Sequence, residues 1–470
     1  MTTTTRETPR NRAPEIRTVG ELRASGHQQQ SLRAELRANL LSALAAGTDP
    51  WPGLHGFEGT VIPQVERALL AGHDIVLLGE RGQGKTRLLR SLVGLLDEWT
   101  PVIEGSELGE HPYEPITAAS QRRAAELGDD LPVAWRHRDE RYAEKLATPD
   151  TSVGDLVGDV DPMKVAEGRS LGDPETIHFG LVPRAHRGIV AINELPDLAE
   201  RIQVALLNVM EERDIQIRGY LLRLPLDVLV VASANPEDYT NRGRIITPLK
   251  DRFGAEIRTH YPLEIADEIA VIRQEAELVA EVPDVLLEVL ARFTRELRSS
   301  SAVDQRSGVS ARFAIAGAET VAAAALHRAT VRGEQEAVAR LVDLSAAVDV
   351  LTGKIEFEVG EEGRETEILT HLLRQATAAT VREKLRGLDL AELVAAMDGS
   401  RLVTTGDRVT ATELLDSLPS LDSDLYDRIS ERVQADGVGA RAGAAELALE
   451  GLYLARRISK ESGDQGAVYG

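Results

Sequence analysis

The 470-residue chain contains no cysteine, which excludes disulfides, thiolate catalysis, iron–sulfur clusters and cysteine-ligated zinc. Positive charge is also in deficit: 54 Lys and Arg stand against 76 Asp and Glu, a formal net charge of −22. Sequence-independent binding to DNA or to an anionic membrane needs a positive footprint, so no nucleic-acid partner is expected. No apolar run approaches the roughly 20 residues of a membrane span, so no membrane insertion is expected either. The opening stretch MTTTTRETPRNRAPEIR is too polar for a signal peptide. A soluble, cytoplasmic protein is expected. Lysine is scarce as well, 7 residues against 47 arginines, so the position of any one lysine is informative. What remains is 43% hydrophobic and 28% charged, enough to bury a sizeable core. The length suggests about three domains.

Residues 1–29 are rich in Thr, Arg and Gln without apolar periodicity and predict a disordered tail. Ser31 reads as an N-cap, followed by Leu32, Leu36, Leu40 and Leu44 at helical spacing and a terminating Gly47. From about Trp51 to Pro262, short apolar runs alternate with helical stretches, the pattern of βαβ units around a parallel sheet. The clearest buried-strand runs are Ile75–Leu78, Ile189–Ile192 and Val228–Ala232, and 104–147 reads as an insertion. Helical periodicity then dominates: 264–280, 284–299, 310–329, 334–352 and 365–386. The division expected is therefore a tail (1–29), an α/β nucleotide-binding domain (30–262), a helical lid (263–388) and a helical C-terminal region with a flexible tail (389–470).

One motif decides the class. Gly79-Glu80-Arg81-Gly82-Gln83-Gly84-Lys85-Thr86 fits the phosphate-binding loop G-x-x-x-x-G-K-[ST], after an apolar run and before the helical stretch starting at Arg87. The glycines let backbone N–H groups turn inward around phosphates, and the following helix start adds its dipole. Lys85 is expected to reach the β- and γ-phosphates of ATP, and the Thr86 hydroxyl to bind Mg²⁺. From the composition, about 0.006 chance matches are expected in a chain of this length.

About 100 residues on, Gly188-Ile-Val-Ala-Ile-Asn193-Glu194 is an apolar strand with a polar end. At this place a P-loop ATPase sets a metal-coordinating Asp and a water-orienting Glu. Here the first position is Asn193, which can orient a metal-bound water but adds no charge. Glu194 stays available to position the attacking water. A third apolar run ends in Ser233-Ala234-Asn235-Pro236, where Asn235 is placed to sense the γ-phosphate or its water.

With these residues in view, the chain resembles an AAA+ ATPase of the magnesium-chelatase-subunit-I and MoxR-like branch over roughly residues 30–385. GLVPRAHRGIVAINELPDL (Gly180–Leu198) is similar to that branch's approach to Walker B, and VGDLVGDVDPMKVAEGRS (Val153–Ser170) to its helix insertion. MEERDIQIRGYLLRLPLDVLVVASANPEDY (Met210–Tyr239) is similar to its β-hairpin and sensor 1. TPLKDRFGAEI (Thr247–Ile257) resembles its arginine-finger segment, and SGVSARFAIAGAE (Ser307–Glu319) its sensor 2 helix. The resemblance implies that Glu194 orients water, Asn235 is sensor 1, Arg252 is a finger offered to a neighbouring subunit and Arg312 is sensor 2. Arg242 and Arg244 are rivals for the finger. Arg87 and the loop residues from Gly79 to Thr86 complete the nucleotide set, and Thr86 and Asn193 hold Mg²⁺, the latter through water. A homo-oligomeric ring, a hexamer, that remodels or activates a protein partner follows, with a von Willebrand A-type domain expected on that partner.

Asn193 opens a second reading, a nucleotide-dependent switch or scaffold with little hydrolysis. A third is the motor subunit of a porphyrin metal chelatase. The chain has no GAFTGA loop, which argues against a sigma-54 activator despite the shared core. His178 and His186 lack metal-ligand spacing, and the acidic run Glu356–Glu367 reads as a solvated face.

Overall fold

A computed structural model describes residues 12–166, 176–212, 215–217, 220–222, 224–235, 244–304, 308–397, 402–463 and 466–470. Arg242, the segment Pro236–Tyr239, Ser307 and part of the Val153–Ser170 stretch lie outside the described residues. The chain divides into two compact units, Met1–Gly79 with Gly84–His260, and Glu80–Gln83 with Tyr261–Gly470.

The first unit is built on five strands: β1 (Ile75–Leu78), β2 (Tyr142–Leu146), β3 (Gly188–Asn193), β4 (Val228–Ala234) and β5 (Ala255–Arg258). All pair in parallel, in the order β5-β1-β4-β3-β2. Every residue of β1, β3 and β4 is buried, which is why these strands are apolar throughout rather than alternating. The two faces are sorted by the strand period of two. Val76, Val190, Ile192 and Val230 pack with Ile202, Leu206 and Met210 of a helix on one side. Ile75, Leu77, Ile189 and Val231 pack with leucines of two other helices on the opposite side. Those helices are α1 (Leu32–Ala46), α2 (Lys85–Ser91) and α3 (Glu200–Glu212), and a short α4 (Thr247–Arg252) precedes β5.

Helix α1 has the expected ends. Ser31 Oγ accepts from the Ala34 N–H at 3.3 Å, and Gly47 closes the helix at φ 68°. Polar contacts then fasten it to the sheet. Arg33 bonds Asp74 at 3.0 Å and the Val228 carbonyl at 3.2 Å, while the Leu32 N–H donates to Asp227 at 2.6 Å. Glu35 and Arg141, 2% and 1% exposed, pair through two hydrogen bonds of 2.6 and 2.7 Å.

Two sequence expectations change here. Residues 18–24 are not a disordered tail. Thr18 caps the helix Val19–Ala24, and Val19 and Leu22 are buried against Ile103, Leu131 and Val133. Two apolar residues at i, i+3 are too short a signal to register as a period, yet they suffice once a small apolar cluster receives them. Residues 104–147 are not wholly an insertion either, because Tyr142–Leu146 near their end form the edge strand β2. Its sequence, Tyr-Ala-Glu-Lys-Leu, is half-buried and carries charge, as an edge strand should.

The second unit is mainly helical, with α5 (Asp284–Ser299), α6 (Ala311–Arg332), α7 (Glu365–Lys384) and α8 (Gly437–Leu454) at its centre. In α6 most of the buried face is small (Ala314, Gly317, Ala318, Ala322, Ala325), which allows close helix packing beside the larger Phe313 and Val321. A single apolar core runs from Ile272 to Tyr469, so the expected boundary after 388 is not a break in packing, and the unit begins at Tyr261 rather than 263. The expected flexible end is instead a small antiparallel sheet in which Gly466–Tyr469 pairs with both Val403–Thr405 and Lys460–Gly463. Tyr469 is its buried anchor, 2% exposed.

Candidate functional site

In a parallel sheet the carboxyl ends of the strands form the crevice where ligands bind. Three of the singled-out residues sit there because each follows directly on a strand: Gly79 after β1, Glu194 after β3 and Asn235 after β4. The Gly79 N–H extends the ladder to the Ala234 carbonyl at 3.1 Å, fixing the start of the loop against the end of β4. Gly82 and Gly84 both adopt left-handed φ of 75°. Backbone of this sign favours glycine and turns successive N–H groups to one side.

Lys85, 7% exposed, opens α2 and donates to the Gly79 carbonyl and, at 2.9 Å, to Asn235 Oδ1. Asn235 in turn donates through Nδ2 to Glu194 Oε2 at 3.2 Å. One buried amide therefore links an ammonium to a carboxylate across three strand ends. Glu194 itself is in the left-handed region, φ 56°, a conformation that costs a non-glycine residue about 1–3 kcal/mol. Its N–H donates to Ser233 Oγ at 3.3 Å, which helps hold it there.

The lateral neighbour of this chain is a second one. Asn193, 7% exposed, accepts from Ser233 Oγ at 3.2 Å and donates through Nδ2 to Glu144 Oε1 at 2.8 Å. Glu144 is clamped by Arg90 through bonds of 2.7 and 2.9 Å and accepts from the Tyr142 hydroxyl at 3.2 Å. Arg90 foremost, then its neighbours, holds the Glu144 carboxyl below the ordinary carboxylate range. Burial, and next the Glu144 charge, pushes the Tyr142 hydroxyl up.

Glu144, Arg90 and Ser233 were not singled out from the sequence. The available signal was Asn193 itself, a strand end that lacks its expected carboxylate and therefore calls for one nearby.

The tip of the loop, Glu80–Gln83, belongs by its contacts to the second unit. There the Tyr261 hydroxyl donates to the Arg81 carbonyl at 2.8 Å, and a Cβ on Gly82 would lie 2.0 Å from Ser310 Oγ. Ser310 caps α6, so Gly82 and the helix start carrying Arg312 are brought together, with the Arg312 side chain exposed. Arg87 is exposed and Thr86 half-buried on the first turn of α2. Arg252 is not brought to this cluster. It ends α4 exposed and donates to the Met210 carbonyl at 3.3 Å and to the Glu211 carbonyl at 3.5 Å. The rival Arg244 has its carbonyl bound by Gln203 at 3.0 Å.

ATP and Mg²⁺ fit this donor set. Loop amides turned to one side and a buried ammonium that donates to the Gly79 carbonyl and Asn235 suit phosphate, and the hydroxyl of Thr86 with the Asn193 amide oxygen offers neutral oxygens of the kind a hard cation takes. Among the described residues no group of three His, Asp or Glu is placed to hold a metal ion. His186 is structural. It is buried, its Nδ1 accepts from the Asp227 N–H at 3.1 Å, and desolvation, then Arg187, lowers its ring to about 3. No helix among the described residues is long and apolar enough to cross a membrane.

The family described as the sigma-54 interaction domain matches residues 168–252. The magnesium-chelatase subunit ChlI of Anabaena variabilis is 26% identical over 215 residues, 45% of this chain and 60% of that protein. The magnesium-chelatase 38 kDa subunit of Cereibacter sphaeroides is 28% identical over 210 residues, 42% of this chain and 54% of its own. The chain thus spans little more than half the length of these relatives. A solved complex of magnesium-chelatase subunits BchI and BchD aligns at 20% identity over 68% of this chain and 98% of the matched one. Its TM-score is 0.36, too low to establish a shared overall arrangement.

Proposed function

Since the chain carries an AAA+ P-loop core of the magnesium-chelatase-like branch, we propose that it binds ATP with Mg²⁺ and hydrolyses it. We further propose that it acts as a homo-oligomeric ring, a hexamer, which remodels or activates a protein partner in the cytoplasm. The observation that carries this reading is the Lys85–Asn235–Glu194 chain of hydrogen bonds across the ends of β1, β4 and β3.

In this reading Lys85 exchanges its loop carbonyl for phosphate oxygen and neutralises charge there. Asn235, already between Lys85 and Glu194, reports whether the γ-phosphate is present to both. Glu194 orients the attacking water and takes up its proton. Mg²⁺, held by Thr86 and through water by Asn193, supplies further charge neutralisation on the phosphates. Arg312 and the Gly79–Arg87 segment complete the nucleotide contacts. Arg252 serves the nucleotide of the next subunit, a device worth roughly 10³–10⁵ in rate. Its place on the exposed end of α4, away from Lys85, is compatible with service in trans. A partner with a von Willebrand A-type domain suits the branch.

Glu194→Gln tests the assignment directly. The variant should retain bound ATP while hydrolysis falls about 10²–10⁴-fold; finding no ATP bound would remove Glu194 from its role. The neutral amide of Asn193 favours a second reading, a switch or scaffold that binds ATP and barely turns it over. Wild-type turnover at background would select that reading. The relatives are chelatase subunits, and ATP-dependent insertion of Mg²⁺ into a porphyrin with purified partners would be needed to assign that activity here.

A further inference from the structure

We infer that Glu144 is a positioning residue that orients and polarises Asn193 where the carboxylate is missing from the end of β3, and so supports the Mg²⁺ of bound nucleotide. The inference rests on the ATP·Mg²⁺ reading and deepens it.

The register makes the pairing possible. Leu146 lies opposite Asn193 and Glu144 opposite Ala191, so Glu144 and Asn193 share one face of the sheet, offset by two residues. Such diagonal neighbours are within reach of long side chains. The amide is committed on both sides. Its Nδ2 is held by Glu144 at 2.8 Å, so its Oδ1 is left to the β4 side, where it accepts from Ser233. Asn235 follows β4 on that same side and is bonded there by Lys85 of α2. A carboxylate bound at the NH₂ end polarises an amide and makes its oxygen a better acceptor for a metal-bound water.

The second observation is Arg90. It follows Thr86 by four residues on α2, which puts both on one helix face. Its paired bonds to Glu144 make the carboxylate a tie between the helix bearing the Mg²⁺-binding hydroxyl and the strand bearing Asn193. The geometry also explains why position 193 is an amide. An Asp there would set two carboxylates at hydrogen-bond distance, where like charges disfavour joint ionisation. The Asn/Glu arrangement keeps one carboxylate, paired with Arg90, and moves it one strand outward.

The test is a titration of the full-length chain with a fluorescent ATP analogue, in EDTA and in Mg²⁺, with Mn²⁺ binding followed by its EPR signal. Glu144→Gln should bind the analogue in EDTA as the wild type does, while the gain on adding Mg²⁺ and the Mn²⁺ affinity fall about tenfold. Asn193→Asp alone should also lose part of that gain. The exchanged pair, Glu144→Gln with Asn193→Asp, should recover towards wild type, a rescue that a merely structural ion pair with Arg90 would not give. An unchanged Mg²⁺ gain in Glu144→Gln, or an exchanged pair worse than both single variants, overturns the inference and leaves the ATP reading standing. A wild-type chain that binds no analogue in either condition sinks the ATP reading itself, and this inference with it.

Discussion

At the scale of single residues, Asn235 joins the two charged groups of the site. It occupies both Lys85 and Glu194, at 2.9 and 3.2 Å, and charge-assisted hydrogen bonds of this kind contribute about 1.5–3 kcal/mol each. Asn235→Ala is expected to slow hydrolysis about 10–100-fold with a much smaller change in ATP affinity, read from single-turnover rates against equilibrium binding. At Gly82 the constraint is steric. Its φ of 75° and the 2.0 Å approach of Ser310 Oγ to any Cβ leave no room for a side chain. Gly82→Ala should therefore weaken nucleotide binding by the equilibrium titration described above, without moving the stability of the sheet. Much of this site was legible in the sequence, because a loop of glycines with one of only seven lysines has few other uses. Glu144 was not. A charged residue in Tyr-Ala-Glu-Lys-Leu gives no strand signal, and only the parallel register with β3 shows what it faces.

At the scale of elements, α1 is fixed by charge as well as by leucines. Glu35 and Arg141 are both almost fully buried, and Arg141 also bonds the Arg187 carbonyl at 2.8 Å. Removing one partner of a buried pair leaves an uncompensated charge, a loss of about 3–5 kcal/mol, whereas apolar replacement of both is often neutral. Glu35→Ala should lower the denaturation midpoint of the first unit accordingly, and Glu35→Leu with Arg141→Met should recover most of it in urea titrations. The leucine stripe of α1 and its caps at Ser31 and Gly47 were readable in advance, since they follow the helical period. The small C-terminal sheet was not, since Glu-Ser-Gly-Asp-Gln-Gly-Ala-Val-Tyr resembles a polar tail until Tyr469 finds its place in the helical core.

At the scale of the whole molecule, acid sensitivity follows from histidines that fold uncharged. Desolvation, then nearby Arg187, lowers both His186 and His111 from 6.5 to about 3. An unfolded chain takes up protons at these rings that the fold refuses, so their contribution is complete above 6.5 and is lost as pH falls from 6.5 towards 3. Between pH 7.5 and 5.5, each ring should cost about 1.4 kcal/mol of stability. His186→Gln, which can still accept from Asp227, should flatten that slope by one such share in chemical denaturation at the two pH values.

The claim of catalysis across a subunit boundary has one direct measurement, ATP turnover in a mixture of Lys85→Ala and Arg252→Ala chains. Each variant alone should be inactive, one lacking the phosphate-binding lysine and the other the finger. Mixed rings place an intact Lys85 beside an intact Arg252 at about a quarter of their interfaces, so an equimolar mixture should regain turnover of that order. A mixture as inactive as its components, or a single variant that turns over ATP like the wild type, would contradict the claim.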